Sequence, residues 1–167
     1  MTRALLVIDI QNDYFAGGAL PLWQPEETEA RIVLAIGRAR AGDDRIILVR
    51  HISLAPAGLF GAGSTGADIR QTILEAAGNA PVVTKHYADA FQETDLADHL
   101  AGVSELLVTG MMTQNCVVFT ALSRATDGLR VRIVGDLCTA PTETVHRIAL
   151  NALGSKIEVA TAADVWA

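Results

Sequence analysis

The chain has 167 residues, a formal net charge of −6, 50% hydrophobic residues and 19% charged ones. That apolar content excludes disorder, and the length suits one compact domain spanning 1–167 with a sizeable core. The acidic balance, which no Lys/Arg-rich run reverses locally, excludes nucleic acid and anionic membranes as partners.

Ala4–Ile8 (A-L-L-V-I) is expected to be a first strand, ended by Asp9. This opening run is too short for a signal peptide and lacks a small-residue cleavage site. No apolar stretch is long enough to span a bilayer. Two cysteines, Cys116 and Cys138, do not make a disulfide scaffold, so a reduced, cytoplasmic protein is expected. A helix is expected over Glu26–Ala41, with Ile32, Ile36 and Ala39 among its charges, then a strand over Arg45–Arg50. Ile52–Gly66, rich in Gly, Ala, Pro and Ser, reads as a long loop of the kind that often serves as a lid or binding loop. Ala67–Ala77 reads as a helix, Pro81–Thr84 as a short strand and Thr94–Leu100 as a Thr-capped helix. Glu105–Thr109 is a fourth strand, followed by a helix over Asn115–Thr126 that Asp127-Gly128 ends. Val131–Val134 is a fifth strand, and Thr142–Leu153 a helix stopped by Gly154. Lys156–Val159 is a weak sixth strand, and Ala162–Trp166 a last turn whose Trp166 is a candidate for a subunit contact. Continuous Val/Ile/Leu runs suit strands buried on both faces, and their alternation with helices predicts parallel βαβ units in a three-layer α/β/α sandwich.

Gly61–Gly66 (G-A-G-S-T-G) matches the dinucleotide fingerprint G-x-G-x-x-G. That pattern holds a pyrophosphate only directly between a strand and a helix. Here a Pro-containing loop separates it from the second strand, so it reads as a flexible small-residue loop and no cofactor is expected.

In an open parallel sheet, ligands bind beyond the carboxyl ends of the strands. The polar residues there are Asp9 after strand one, Arg50 and His51 after strand two, Lys85 and His86 after strand three, Cys116 after strand four, and Asp136 after strand five. Cys116 has two readings, a buried inert thiol or a nucleophile whose pKa a helix start lowers. Cys138 reads as inert. Asp9 is either a structural cap or a buried acid needing a partner, and Lys85 either a snorkelling lysine or that partner. An acid, an amine and a thiol at three strand ends are complementary: Lys85 favours the ionised forms of Asp9 and Cys116. Competing readings are a papain-like pair of Cys116 with His51, His86 or His146, an idle interaction module, and a redox-active cysteine, for which no C-x-x-C is present.

A-L-L-V-I-D-I-Q-N-D-Y-F, T-K-H-Y-A-D-A-F-Q-E-T-D-L, V-T-G-M-M-T-Q-N-C-V and G-D-L-C-T-A-P-T-E-T-V-H-R-I-A-L, in that order, resemble the isochorismatase-like cysteine hydrolases, which include nicotinamidases and carbamoyl-amidases. The resemblance implies a Rossmann-like sheet of order 3-2-1-4-5-6, Asp9, Lys85 and Cys116 as a catalytic triad, and a cis peptide at Met111–Met112. It implies an oxyanion hole from the Met112 and Cys116 N–H groups, a small amide, carbamoyl or related acyl substrate, and a homo-oligomer. Phe15, Phe60, Tyr87, Phe91, Gln114 and Asn115 flank the motifs and are candidate substrate-binding residues. Two departures bear on the substrate. Nicotinamidases of the family hold a metal with an Asp and several His after strand two, whereas His51 stands alone in V-R-H-I-S-L, so no metal is expected. True isochorismatases lack the cysteine, so Cys116 favours carbonyl over vinyl-ether chemistry.

Overall fold

The computed structural model describes residues 2–167. Six strands form one sheet in the order β3-β2-β1-β4-β5-β6, every pair parallel. They are β1 (Arg3–Ile8), β2 (Arg45–His51), β3 (Val82–Lys85), β4 (Glu105–Met111), β5 (Arg130–Thr139) and β6 (Glu158–Ala160). The helices are α1 (Pro25–Ala41), α2 (Gln71–Ala77), α3 (Leu96–His99), α4 (Val118–Ala121), α5 (Glu143–Gly154) and α6 (Ala162–Val165). None is long and apolar enough to cross a membrane.

The central strand shows why its sequence has no alternation. Leu5 and Val7 point into a core shared with Ile32 and Ile36 of α1 and Ile73 of α2. Ala4, Leu6 and Ile8 point into a second core with Leu96 of α3, Ala121 of α4 and Leu153 of α5. Residues two apart share a face, so a strand covered on both sides must be apolar at every position.

Five expected elements differ. The Thr-capped helix over Thr94–Leu100 is the four-residue α3, with Asp95 at its N-cap and no side-chain cap bond. The Asn115–Thr126 segment is not one helix. It is a π turn (Thr113–Val117), then α4, then a 3₁₀ turn (Arg124–Thr126) capped by Ser123. Asn115 and Val117 both donate to the Met112 carbonyl, at 3.0 and 3.3 Å, which widens the first turn. α2 starts four residues later than expected, because Thr65–Ala67 forms a 3₁₀ turn and Ile69 bridges Gln11 in extended form. β5 continues beyond Val134 through Gly135 and Asp136, whose composition hides the strand; a bulge then pairs Cys138 and Thr139 with Gly110 and Met111. β6 begins at Glu158 because the Lys156 and Ile157 amides still bond the Leu153 carbonyl, closing α5.

Trp166 packs within its own chain: its indole N–H donates to Asp44 Oδ2 at 2.9 Å and its ring lies against the α1-side core. The long loop is also tethered. Asp13 accepts the Phe60 amide at 2.6 Å and the Ala19 amide at 3.1 Å, and Gly66 packs so close that a Cβ there would meet Asp13 Oδ1 at 2.2 Å. That contact explains the last glycine of G-A-G-S-T-G without any phosphate.

Gly110 sets how closely β4 approaches β1. It has φ +121° and pairs with Ile8, and a Cβ would lie 2.1 Å from the Ile8 carbonyl oxygen. Gly110→Ala is therefore expected to destabilise by about 4 kcal/mol or more, measured as a fall in urea midpoint; an unchanged midpoint would mean the strands part freely. Asp13→Ala is expected to raise hydrogen exchange at Phe60 and through 52–66 while leaving β1 and β4 protected. Equal exchange in both proteins would show that the tether is unimportant.

Candidate active site

Asp9, His51 and Lys85 follow or end β1, β2 and β3, and Cys116 follows β4 across the point where strand order reverses. β3 lies two strands from β1, about 10 Å at the usual spacing, a gap the four-carbon lysine stem bridges. Lys85 Nζ lies 2.9 Å from Asp9 Oδ2, 3.2 Å from Cys116 Sγ, 2.8 Å from His51 Nδ1 and 3.1 Å from the Tyr87 carbonyl oxygen. Asp9 and Lys85 have no exposed surface, and Cys116 is 3% exposed.

Local backbone aims each group. Asp9 has φ +55°, and its amide bonds the Val49 carbonyl while its own carbonyl accepts from Gln11. This tight left-handed turn, which Asp adopts more readily than most residues, ends β1 and turns the carboxylate inward. His51 and Lys85 are register partners across β2 and β3, which places their side chains together on one face. Cys116 lies inside the π turn, entered through the cis Met111–Met112 peptide. The first residue of that turn, Thr113, shares a 2.8 Å hydrogen bond with His146 Nδ1 of α5.

The electrostatics differ from the expectation of a helix-lowered thiol pKa. Burial, then the charge of Asp9, push the Cys116 thiol well above its ordinary value. The helix after it has only four residues and contributes a weak dipole. Burial raises the Asp9 carboxyl, with Lys85 opposing. Burial alone would lower Lys85, but Asp9 and Cys116 outweigh it and the net shift is upward. Burial and Lys85 lower His51 to about 4, so it is neutral at physiological pH. Cys138 is a free buried thiol in β5, pushed by burial up to about 12.

Among the candidate lining residues, Phe60 is buried, edge-on to Tyr14 at 4.8 Å and 5.8 Å from the His51 ring. Phe91 is half-buried against the core that contains Cys116, and Gln114 and Asn115, the two residues before Cys116, are half-buried. Half-buried Tyr87 contributes its backbone carbonyl to Lys85. Phe15 is buried beneath the Arg70 guanidinium, 4.1 Å from its ring centre. Gln11 was not singled out in the sequence, and His51 was expected at a strand end only as the base of a competing papain-like pair or as a lone metal ligand. The Gln11 side chain clasps the His51 backbone on both sides, accepting its N–H and donating to its carbonyl, each at 2.8 Å. The available signal was positional: His51 and Lys85 are the last residues of neighbouring strands. His86 faces the Ile52 carbonyl and His146 faces Thr113, so both are engaged elsewhere.

Asp9, His51 and Cys116 are, among the described residues, the only close group of three potential metal ligands, with donor atoms within 4.8 Å of one another. They already surround the Lys85 ammonium, so a divalent cation would have to displace a buried positive charge. The second histidine that a nicotinamidase-type metal centre requires is absent from this cluster, so these residues do not fit such a centre.

The isochorismatase domain model matches residues 3–164. The uncharacterized isochorismatase family protein YddQ of Bacillus subtilis is 35% identical over 85% of this chain and 80% of its own length. Nicotinamidase 3 of Arabidopsis thaliana is 30% identical over 88% and 78%, respectively. The crystal structure of a putative isochorismatase from Burkholderia xenovorans superposes with a TM-score of 0.88 at 33% identity, covering 97% of this chain and 84% of that one. With the whole sheet and its strand-end residues inside the matched segment, the chain belongs to the isochorismatase family of hydrolases.

Proposed function

We propose that this chain hydrolyses a small amide, carbamoyl or related acyl compound, without a metal, through a thioester on Cys116. The observation that carries the reading is the sealed group of Asp9, Lys85 and Cys116. Asp9 Oδ2 lies 2.9 Å from Lys85 Nζ, and burial raises the Asp9 carboxyl against the pull of that cation. A carboxylate raised by burial is a stronger base, and the nearby thiol supplies a proton for it to take. The likeness to a nicotinamidase supports amide hydrolysis, and the metal centre expected of nicotinamidases in the family is the point at which this chain departs.

The cycle needs no further reagent than water. Asp9 takes the Cys116 proton as sulfur bonds the substrate carbonyl carbon, and the carbonyl oxygen becomes an oxyanion. The Met112 and Cys116 amides hold that oxyanion; removing one such donor usually costs about 3 kcal/mol at the barrier. The C–N bond breaks, and Asp9 passes its proton to the departing nitrogen. Water then attacks the thioester, giving a proton to Asp9, and Asp9 returns it to the departing sulfur. The raised Cys116 pKa fits this scheme, in which the thiolate forms only as it reacts. Lys85 stays charged throughout and balances the single negative charge shared by Asp9 and Cys116. Gln114 Oε1, buried without a partner, is a further acceptor for a substrate N–H.

A panel of small amides and ureido compounds, assayed for ammonia or amine release, tests the reading. Cys116→Ala and Asp9→Asn are each expected to cut kcat/KM on any substrate found by more than about 10³-fold. Full turnover by Cys116→Ala would reject the thioester. Dialysis against a chelator is expected to leave kcat/KM unchanged, and a loss restored by a divalent ion would reject metal independence.

A further inference from the structure

We propose that His146 is a positioning residue: through its bond to Thr113 it fixes the turn that carries Cys116 and the two oxyanion amides. The inference rests on the catalytic reading above and gives α5 a part in that site.

The element that carries the sulfur is too short to hold its own position. The π turn runs only from Thr113 to Val117, and α4 adds four residues before Leu122 ends it. Helical segments of this length are unstable without outside contacts. Two threonine hydroxyls supply such contacts, one before the sulfur and one after it, on residues with no exposed surface. Thr120 Oγ1 accepts the Ala90 amide at 2.9 Å, and Thr113 Oγ1 shares a 2.8 Å hydrogen bond with His146 Nδ1. Thr113 follows Met112 directly and precedes Cys116 by three residues. Its anchor therefore lies between the two amides that the proposed mechanism aims at the oxyanion.

His146 is itself held firmly. It is 8% exposed and lies in the first turn of the twelve-residue α5, where Thr142 caps the helix by accepting the Val145 amide at 3.2 Å. The Trp23 ring packs on the imidazole, at 5.7 Å between centroids, and the Trp23 amide bonds the Ala140 carbonyl at 2.9 Å. Burial and the Arg31 charge lower the His146 pKa, with Glu143 opposing, so the ring is neutral at physiological pH. A hydroxyl can donate or accept, so either tautomer of the neutral ring sustains the bond to Thr113. His146 acts by keeping one end of the turn from drifting, and a drift of about 1 Å at a reacting group is enough to slow catalysis strongly.

Thr113→Val exchanges the hydroxyl for a methyl of nearly the same size, and His146→Phe keeps a ring without the nitrogen. On a substrate from the amide panel, each is expected to lower kcat about tenfold while KM stays within about twofold, because the loss falls on the transition state. The double variant is expected to lose no more than either single one, since both break the same bond. His146→Asn, which returns a polar atom near the position of Nδ1, is expected to restore most of the rate. An unchanged kcat in the single variants, or multiplied losses in the double one, overturns the role of His146. Iodoacetamide alkylation, read peptide by peptide by mass spectrometry, decides the matter without a substrate. Cys116 and Cys138 are 3% and 2% exposed, so they report local and global opening side by side. Thr113→Val is expected to speed alkylation of Cys116 about tenfold and to leave Cys138 as slow as in the wild type. Equal acceleration of both thiols, or of neither, overturns the proposal. That contrast together with full turnover by Cys116→Ala would instead overturn the catalytic reading.

Discussion

The organising interaction is a single ammonium group buried without solvent contact. Removing a lysine from water costs several kcal/mol unless its charge and all of its protons are matched. Lys85 meets that demand with a carboxylate from the end of β1, an imidazole from β2, a sulfur from the turn after β4 and a carbonyl from its own following residues. No two of these four partners come from the same element, so the charge is tolerated only in the completed sheet. On the proposed reading the cluster has no net charge: one cation faces one negative charge, which Asp9 and Cys116 share according to where the proton sits.

That arrangement explains features of the fold far from the chemistry. Strands β1 and β4 must come close enough for the Asp9 turn to face the Cys116 turn, and the absence of a side chain at Gly110 permits it. The left-handed φ of Asp9 ends β1 and turns a carboxylate inward. Asp13, four residues on, is also buried, but its oxygens accept the Ala19 and Phe60 amides. The same short segment thus carries two acids with opposite roles. One accepts two backbone amides and holds a loop; the other faces a buried ammonium 2.9 Å away. Their partners separate them, since both are buried.

What the sequence made legible was the part governed by pattern. Continuous apolar runs located every strand, and their separation by helical segments implied a parallel sheet whose carboxyl ends carry the chemistry. Asp9, Lys85 and Cys116 were visible as polar residues placed where each run stops. Three features were not legible because each depends on partners distant in sequence. The break in the segment after Cys116 arises where Asn115 and Val117 compete for one carbonyl, and nothing in T-Q-N-C-V-V-F-T signals it. The direction of the Cys116 shift required knowing its burial and the length of the following helix. A helix-start argument predicts a lowered pKa, and only a sealed site with a short helix reverses it. His51 stood in the sequence as one of three candidate bases for a papain-like pair, and as a metal ligand it lacked a second histidine. Its position became informative once the register of β2 and β3 was known.

The same register accounts for the difference between a metal site and this one. A carboxylate, an imidazole and a thiol within 4.8 Å of one another are a plausible ligand set for a soft divalent ion. What changes their character is the lysine that reaches two strands across to stand among them. A metal would fix the thiol as thiolate and bind the carboxylate as a ligand. An ammonium does neither: it tolerates a protonated sulfur and leaves the carboxylate basic. On the proposed thioester reading, a proton passes between Asp9 and Cys116 without a change in the surrounding charge, the condition a repeated acyl-transfer cycle needs.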